Sequence, residues 1–313
     1  MTARVNQTRV RLLERFDIFL NPTGLCLHYL YSFPLLLAAL LCAYGKHLFR
    51  TMEPKYVFSE TINAIQETHT WIRPLMAGPW KFAKRWARLE PSHTRAIIPI
   101  GLFRAAIVVA LLLGWEAWAG VSCIGFLGFA HPSEVVETFR GSLLLPEDLF
   151  APEWLYEPFG LLDVGEPKTR YTGPKRQHAR FGDKFILRFL HKMFGHLSPT
   201  ELLYPWGSRA FRSRWNFIFN HILGVSIRQD DGGVTPGCLR GSGATHAYLA
   251  GLPVADIAWR GRGRWRNPAT LAHYVQEAAG LSATVLGGLP AGRRGNIRFL
   301  SALAERVMAG SLY

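Results

Sequence analysis

The stretch TPGCLRGSGATHAYLAGLPVADIAWRGRGRWRNPATLAHYVQE, residues 235–277, has the clearest helix boundaries in the chain. Its opening Thr-Pro pair supplies an N-cap and a first-position proline, and Gly251 supplies a stop after the helix that follows. A second short helix is expected to begin at Pro253. Asn267 and the proline after it cap a third helix, which carries Tyr274 in its second turn. The stretch therefore predicts three helices separated by turns.

Four residues in this stretch have a spacing that is typical of one family. Arg240 lies in the first predicted helix, Thr245 follows it, and Trp265 stands nine residues before Tyr274. This order resembles the C-terminal motif of the tyrosine recombinases of the phage-integrase type. A tyrosine on an amphipathic helix is most often a core residue, but the resemblance implies that Tyr274 occupies the position of the nucleophile.

The resemblance extends over nearly the whole chain and implies an architecture. We expect an α+β chain, mainly α, in which a recombinase catalytic domain with a small β-sheet follows a helical core-binding domain. The two lobes would close round DNA as a clamp. The expected divisions are a helical DNA-binding domain at 1–95, a catalytic domain at 96–285 and a C-terminal tail helix at 286–313.

The resemblance also implies roles for individual side chains. Tyr274 would attack phosphorus and form a 3′-phosphotyrosine, while Arg240 would hold the phosphoryl oxygens with its planar fork. Lys168, the best match to the lysine of the family's β-hairpin, would protonate the departing 5′ oxygen; a solvated loop is the alternative for this Lys-Thr-Arg sequence. Trp265 would donate its indole N–H to a phosphate oxygen. The chemistry implies no cofactor and no metal ion.

Two positions depart from the family pattern. The first catalytic arginine normally lies in a Gly-x-x-Arg-x-x-Glu pattern, and the matching stretch, residues 128–134, has His131 in its place. Gly237 stands where a histidine normally precedes Arg240 by three residues. Because loss of one active-site arginine in phosphoryl transfer costs about 10³–10⁵ in rate, we expect catalysis to be impaired.

Two groups of basic residues are candidates for DNA contacts. The helix predicted between Pro79 and Glu90 has four cations on one face, beside an apolar stripe of Phe82, Trp86 and Leu89. A solvated charged face is the alternative reading of this helix. The second group alternates with Gly and Trp just before the predicted nucleophile helix. The two groups together are Lys81, Lys84, Arg85, Arg88, Arg260, Arg262, Arg264 and Arg266.

The rest of the pattern predicts mostly helices. Two apolar helices are expected between 100 and 129, and a small β-sheet is expected within 154–183. Another helix is expected to begin near Ser59, with Ser59 and Thr61 as caps. The predicted tail helix at 297–308 has an apolar stripe, which would pack either on a neighbouring protomer or on its own chain.

Composition favours a polyanionic partner. The 313 residues contain 36 Lys and Arg against 22 Asp and Glu, a formal charge of +14, which is typical of proteins that bind nucleic acid or an anionic membrane surface. The four cysteines form no Cys-x-x-Cys pair and are expected to be free, buried thiols in a reducing compartment. The start of the chain lacks the apolar core and cleavage site of a signal peptide.

The favoured function is site-specific DNA strand cleavage and rejoining, as in recombination or integration of a mobile element. We expect double-stranded DNA as the partner, a homo-oligomer on that DNA, and an intracellular location, in the nucleus if the source is eukaryotic. A non-catalytic DNA-binding protein with the same fold is the first alternative. The second is a membrane-associated helical protein, because residues 29–45 are uncharged and only Glu116 interrupts residues 105–130.

Overall fold

The computed structural model describes residues 3–90, 96–148, 159–165, 177–228, 233–261, 271–272, 275, 277–278, 280 and 285–308. Over these residues the chain is mainly helical and has one small antiparallel sheet, which confirms the predicted α+β class. The chain divides into two compact units, Met1–Ser92 and His93–Tyr313. Each unit has a hydrophobic core of its own.

The first unit is a set of helices around an aromatic core. Trp86, Phe58 and Tyr44 are almost completely buried in that core. Gly45 lets the helices approach closely, since a Cβ at this position would lie 2.8 Å from ring atoms of Phe58 and Phe82. The helices are α1 (Ala3–Leu20), α2 (Leu27–Leu30), α3 (Pro34–Arg50), α4 (Lys55–Thr68) and α5 (Ala77–Leu89), with a 3₁₀ segment at Thr70–Met76.

Helix α4 begins earlier than the sequence predicted. Ser59 and Thr61 are not caps but lie inside the helix, where their hydroxyls donate to the carbonyl oxygens of Lys55 and Val57, four residues back. A Ser or Thr hydroxyl can either cap the start of a helix or, inside a helix, donate to the carbonyl oxygen four residues back. The presence of capping residue types therefore did not locate the start of this helix.

The second unit combines helices with the sheet. Helices α6 and α7 are buried on most sides, which explains why their sequences are largely apolar. Among the described residues, no helix has the length and apolar character needed to cross a membrane. The elements in chain order are α6 (Ile100–Leu112), α7 (Glu116–Leu127), α8 (Pro132–Val136), β1 (Leu143–Leu144), β2 (Gly160–Val164), β3 (Gln177–Phe181), α9 (Lys184–Phe194), α10 (Gly207–Asn216) continued by a π-helix at Phe217–Ile222, α11 (Leu239–Leu249), α12 (Val254–Arg260) and α13 (Ala291–Met308).

The three strands are antiparallel and lie in the order β1-β2-β3. Strands β2 and β3 pair in a register that places Gly160 opposite Phe181 and Leu161 opposite Arg180. A side chain on Gly160 would overlap the Phe181 ring, which fills that space. Because alternate residues of β3 are buried, Arg180 lies on the face opposite to the one that carries Phe181 into the core.

Helices α7 and α11 are in backbone contact. A Cβ added to Gly243 of α11 would overlap the carbonyl oxygen of Phe126 on α7. The neighbouring Ser242 is fully buried, and its Oγ accepts a hydrogen bond of 2.8 Å from the backbone N–H of Ile98. These contacts fix the first half of α11, and with it Arg240, against the centre of the second unit.

The last helix, α13, packs on α6 within the second unit. Ile297 belongs to the main core, and Leu300 and Val307 pack against that core. The apolar stripe of the tail helix therefore packs on its own chain, which is one of the two placements expected from the sequence.

Replacing Gly243 with Ala should force α11 away from α7. Because the added methyl group has to displace backbone rather than a flexible side chain, we expect the free energy of unfolding to fall by about 1–3 kcal/mol in urea denaturation. Gly295 on α13 is a matched control, since an added Cβ there meets no atom within 4 Å. Gly295→Ala should stabilise the helix by up to about 1 kcal/mol. Equal losses from both substitutions would contradict the backbone contact.

Candidate functional site

A cleft of about 430 Å³ lies in the second unit, where the ends of α7, β3, α11 and α12 meet. We call it the main cleft. Its walls include Phe129 after α7, Phe159 just before β2, Arg180 of β3, His246 of α11 and Arg260 of α12. Side chains from separate parts of the sequence thus converge on one concave surface, as is usual in a ligand site.

Two arginines enter the main cleft from different elements. The guanidinium of Arg180 lies over the ring of Phe159, 4.5 Å from its centroid, in a cation–π contact. Burial lowers the pKa of Arg260 from its ordinary value, the positive charge of Arg180 lowers it further, and Asp256 acts in the opposite direction. The two guanidinium groups are close enough to repel each other, and an anion bound between them would relieve this repulsion.

An acid and a histidine complete the polar wall of the main cleft. Asp183 is the N-cap of α9, where its Oδ1 accepts hydrogen bonds from the N–H groups of Phe185 and Ile186. His246 is half-buried. Burial lowers the pKa of His246, the charge of Arg104 lowers it further, and Asp183 acts in the opposite direction. The neutral form of His246 is therefore favoured in the folded protein.

Arg240, the predicted phosphate ligand, is buried next to the main cleft. Only 8% of its surface is exposed, and its Nη2 donates a hydrogen bond of 2.5 Å to the carbonyl oxygen of Gly261. Gly261 directly follows Arg260. Arg240 therefore ties the first turn of α11 to the end of α12 and fixes the backbone from which the Arg260 side chain extends.

A small separate core holds residues on both sides of Tyr274. Leu271 and Val275 are buried in it. The other members come from the turn after α7, from α11 and from α12: Phe129, Ala244 and Ile257. Several predicted site residues lie outside the described residues, and their roles stay predictions: Lys168, Arg262, Arg264, Trp265, Arg266 and Tyr274.

His131, expected in place of the catalytic arginine, caps helix α8. Its Nδ1 accepts a hydrogen bond of 3.3 Å from the N–H of Ser133, and its own N–H donates to the Glu134 carboxylate at 2.8 Å. This is a capping box in which a histidine replaces the usual Ser or Thr. Gly237, at the second departure from the family, lies in the 3₁₀ turn Pro236–Cys238 just before α11.

Arg140 is a buried arginine that holds the sheet region together. Its Nε donates to the carbonyl oxygen of Phe194 at 3.0 Å, its Nη1 to that of Leu143 at 2.6 Å, and its Nη2 to both carboxylate oxygens of Asp148. Burial acts to raise the pKa of Asp148, but hydrogen bonds from Arg140 and a backbone N–H hold it below its ordinary value. These contacts commit Arg140 to the fold rather than to the main cleft.

The predicted basic face is present on α5, in the first unit. Trp86 is buried on the other side of the helix. Leu89, predicted to belong to the buried stripe, is instead exposed, because α5 ends at this residue. None of the four basic side chains forms an ion pair with another residue that the structure describes, and all four are exposed: Lys81, Lys84, Arg85 and Arg88.

Metal ligands are not grouped anywhere in the described part of the chain, where no set of three or more His, Cys, Asp or Glu could hold an ion.

The four cysteines are free, as predicted, but only Cys123 and Cys238 are buried, and Cys26 is exposed. His191 lies 3.5 Å from the carboxylate of Glu147.

Three residues of the main cleft were missed by the sequence reasoning. The alternation of β3 could have placed Arg180 on the outer face of the sheet, and Asp183 directly before α9 is an ordinary N-cap signal. His246 carries no comparable signal, because its place in the cleft depends on how α11 packs.

Models of known protein families give no match to the sequence, and curated proteins give none either. The main cleft is therefore interpreted from its own geometry and charge.

The pH dependence of stability should report on His246. Because its pKa is lowered in the folded state, the unfolded chain takes up this proton at higher pH, so the free energy of unfolding should fall as the pH drops through about 6.5. Urea denaturation between about pH 7.5 and 5.5 should show a shallower fall for His246→Gln. His196→Gln, at an exposed histidine of the same unit, controls for the loss of an imidazole. An unchanged pH slope in His246→Gln would contradict this assignment.

Proposed function

We propose that the chain binds double-stranded DNA in the main cleft and breaks and rejoins one strand through a 3′-phosphotyrosine on Tyr274. The observation that carries the proposal is the pair Arg180 and Arg260, which enter one cleft from β3 and α12 beside the buried Arg240. Guanidinium forks match the oxygens of a phosphate diester. The fold we propose is that of the tyrosine recombinases.

The charge balance of the main cleft supports an anionic ligand. Arg180 and Arg260 contribute two permanent positive charges, while the carboxylate of Asp183 is engaged at the start of α9. His246 favours its neutral form in the folded state. The cleft therefore keeps an excess of positive charge, which a phosphate would neutralise.

The proposed chemistry balances without a cofactor. The phenolic oxygen of Tyr274 gives up its proton to water and forms a bond to phosphorus, and the bond from phosphorus to the 5′ oxygen breaks. Lys168 gives its proton to that oxygen, which leaves as a 5′ hydroxyl. The phosphotyrosine keeps the energy of the diester bond, so rejoining is the same reaction in reverse. The arginines stabilise the extra negative charge on phosphorus in both directions.

Two features of the described residues support this assignment of Lys168 and Tyr274. Lys168 belongs to the connection between β2 and β3, whose ends pair as Val164 with Gln177, and Arg180 lies on the same hairpin. Leu271 and Val275, which flank Tyr274, pack in the small core beside α11 and α12. The described residues that flank Lys168 and Tyr274 therefore belong to, or pack against, the elements that supply Arg180 and Arg260.

The first unit supports the same partner. Its four exposed cations on α5 form a basic face that can contact several phosphates without reading a sequence. The formal charge of +14 adds long-range attraction to any polyanion.

Covalent trapping tests the catalytic step. A nicked duplex with randomised sequence lets a short fragment leave after cleavage, so the protein stays attached to the strand. We expect an adduct that survives denaturation, with the added mass on the peptide that contains Tyr274. Tyr274→Phe should bind the same DNA and form no adduct. DNA binding without any adduct in the unaltered protein would remove the cleavage proposal.

Salt dependence tests the cleft as the DNA contact. If Arg180 and Arg260 share one phosphate, the double substitution Arg180→Gln and Arg260→Gln should make the slope of log affinity against log salt shallower by about 0.9 between about 50 and 200 mM. The matched control, Arg188→Gln with Arg209→Gln, removes two exposed positive charges of the same unit that do not line the cleft. Equal slope changes in the two double variants would mean that only net charge matters.

A non-catalytic DNA-binding protein is the second candidate, and His131 is the observation that favours it. Where the family uses an arginine on the phosphate, this chain has a helix cap whose Nδ1 faces Ser133. Such a protein would bind DNA with the same salt dependence and give no adduct in the trapping experiment.

A further inference from the structure

A series of planar side chains lies on the surface of the second unit. The guanidinium of Arg214 lies 4.4 Å from the ring centroid of Trp206 and 5.2 Å from that of Trp115. The ring of Trp115 contacts that of Phe217, with centroids 5.7 Å apart, and Phe217 contacts His221 at 5.8 Å. These five residues therefore form a continuous series of contacts, which we call the aromatic row. None of them lines the main cleft.

Helix α10 and the π-helix that continues it bring the aromatic row together. The long side chain of Arg214 on α10 extends back toward the start of that helix, as helical side chains do, and so reaches Trp206, which directly precedes α10. Phe217 and His221 belong to the π-helix, where residues four apart lie on one face. Short π-helices of this kind are frequent at functional sites.

The aromatic row is open to solvent although its rings are large. Trp206 is 53% exposed and Phe217 is 42% exposed, and His221 is exposed as well. Trp215 and Phe219, from the same two helices, are completely buried. The fold thus covers one side of these helices and leaves the aromatic row uncovered. Exposed aromatic side chains that are grouped in this way mark a binding surface, whereas single ones are ordinary.

The segment that supplies most of the aromatic row is positively charged. Residues 202–228 contain four arginines and no Asp or Glu. Arg214 pairs with no carboxylate that the structure describes. Two acids of neighbouring segments are engaged: Glu116 is the first residue of α7, where the helix N-terminus stabilises a carboxylate, and Glu137 accepts a hydrogen bond from Ser208. A ligand that combines flat rings with negative charge matches this surface.

We propose that the aromatic row binds single-stranded nucleic acid, whose bases stack on Trp206 and Phe217 while its phosphates lie beside the arginines of this segment. Every base has a flat face, so stacking on exposed aromatic rings accepts any sequence. Arg214 adds cation–π attraction within the row. The surface is built from residues that the main cleft does not use, so it stands apart from the proposed cleavage reaction.

Two strands that differ only in their bases test the aromatic row. An oligothymidylate of about 12 nucleotides and an abasic strand of the same length carry the same phosphate charge. Contacts that depend on charge alone therefore cancel in the ratio of the two affinities, which fluorescence anisotropy can measure. Because stacking of one base contributes about fivefold or more in affinity, two stacked bases should favour the oligothymidylate by about 25-fold or more.

Substitutions inside and outside the aromatic row identify the surface. Trp206→Leu keeps an apolar side chain but removes the stacking face, so the affinity ratio should fall by about fivefold or more, whereas Trp206→Phe should retain most of it. The control, Trp71→Leu, removes a tryptophan of the first unit that is 56% exposed and should leave the ratio unchanged. Phe217→Leu, with the exposed Phe299→Leu as its control, repeats the comparison on the π-helix. Unfolding temperatures verify that each variant is folded.

The affinity ratio also decides against the proposal. A ratio close to one in the unaltered protein overturns it, because phosphate charge alone would then account for binding. Equal losses in Trp206→Leu and Trp71→Leu overturn it as well. A dimer of this chain that dissociates in Trp206→Leu, with a ratio close to one, would assign the row to a second copy instead. The variant Arg180→Gln with Arg260→Gln should keep the ratio of the unaltered protein, so failure of the proposed function in the main cleft is distinguishable from failure here.

Discussion

The backbone contact between Gly243 on α11 and Phe126 on α7 is the constraint on which the second unit depends. Because even a Cβ on Gly243 would overlap the carbonyl oxygen of Phe126, no side chain fits between the helices at this point. The contact therefore restrains both the distance of α11 from α7 and its rotation about its own axis. Ser242 extends the contact by accepting a hydrogen bond from Ile98. A small residue at a close helix crossing fixes position in this way because packed interiors leave no room for adjustment.

The position of α11 determines the position of the cations. Arg240 extends from the first turn of α11 to the carbonyl oxygen of Gly261, and this bond fixes the end of α12, where Arg260 enters the main cleft. Arg180 reaches the same cleft from β3 and interacts electrostatically with Arg260. A buried arginine thus positions a half-buried one, and the proposed phosphate site follows from the same packing that stabilises the unit.

Much of the secondary structure could be predicted from local patterns, because helix periodicity, proline positions and strand alternation are properties of the sequence itself. Helix α5, with Trp86 inside and its basic face outside, is one example. The site could be predicted only in part. His131, expected to face a phosphate, caps α8 through its Nδ1, and the sequence gives no sign of this use of the ring. Arg180 was missed as a neighbour of Arg260 in the main cleft, because the approach of these two residues depends on tertiary contacts.

The most direct test of the account asks whether Arg180 and Arg260 share one phosphate of bound DNA. A duplex selected for tight binding can be prepared with one backbone phosphate at a time replaced by an uncharged methylphosphonate, and the affinity measured for the unaltered protein and for the Arg180→Gln and Arg260→Gln variant. We expect one position at which the replacement weakens binding by the unaltered protein by about tenfold or more and leaves binding by the variant unaffected. Equal losses in both proteins at every position would contradict it.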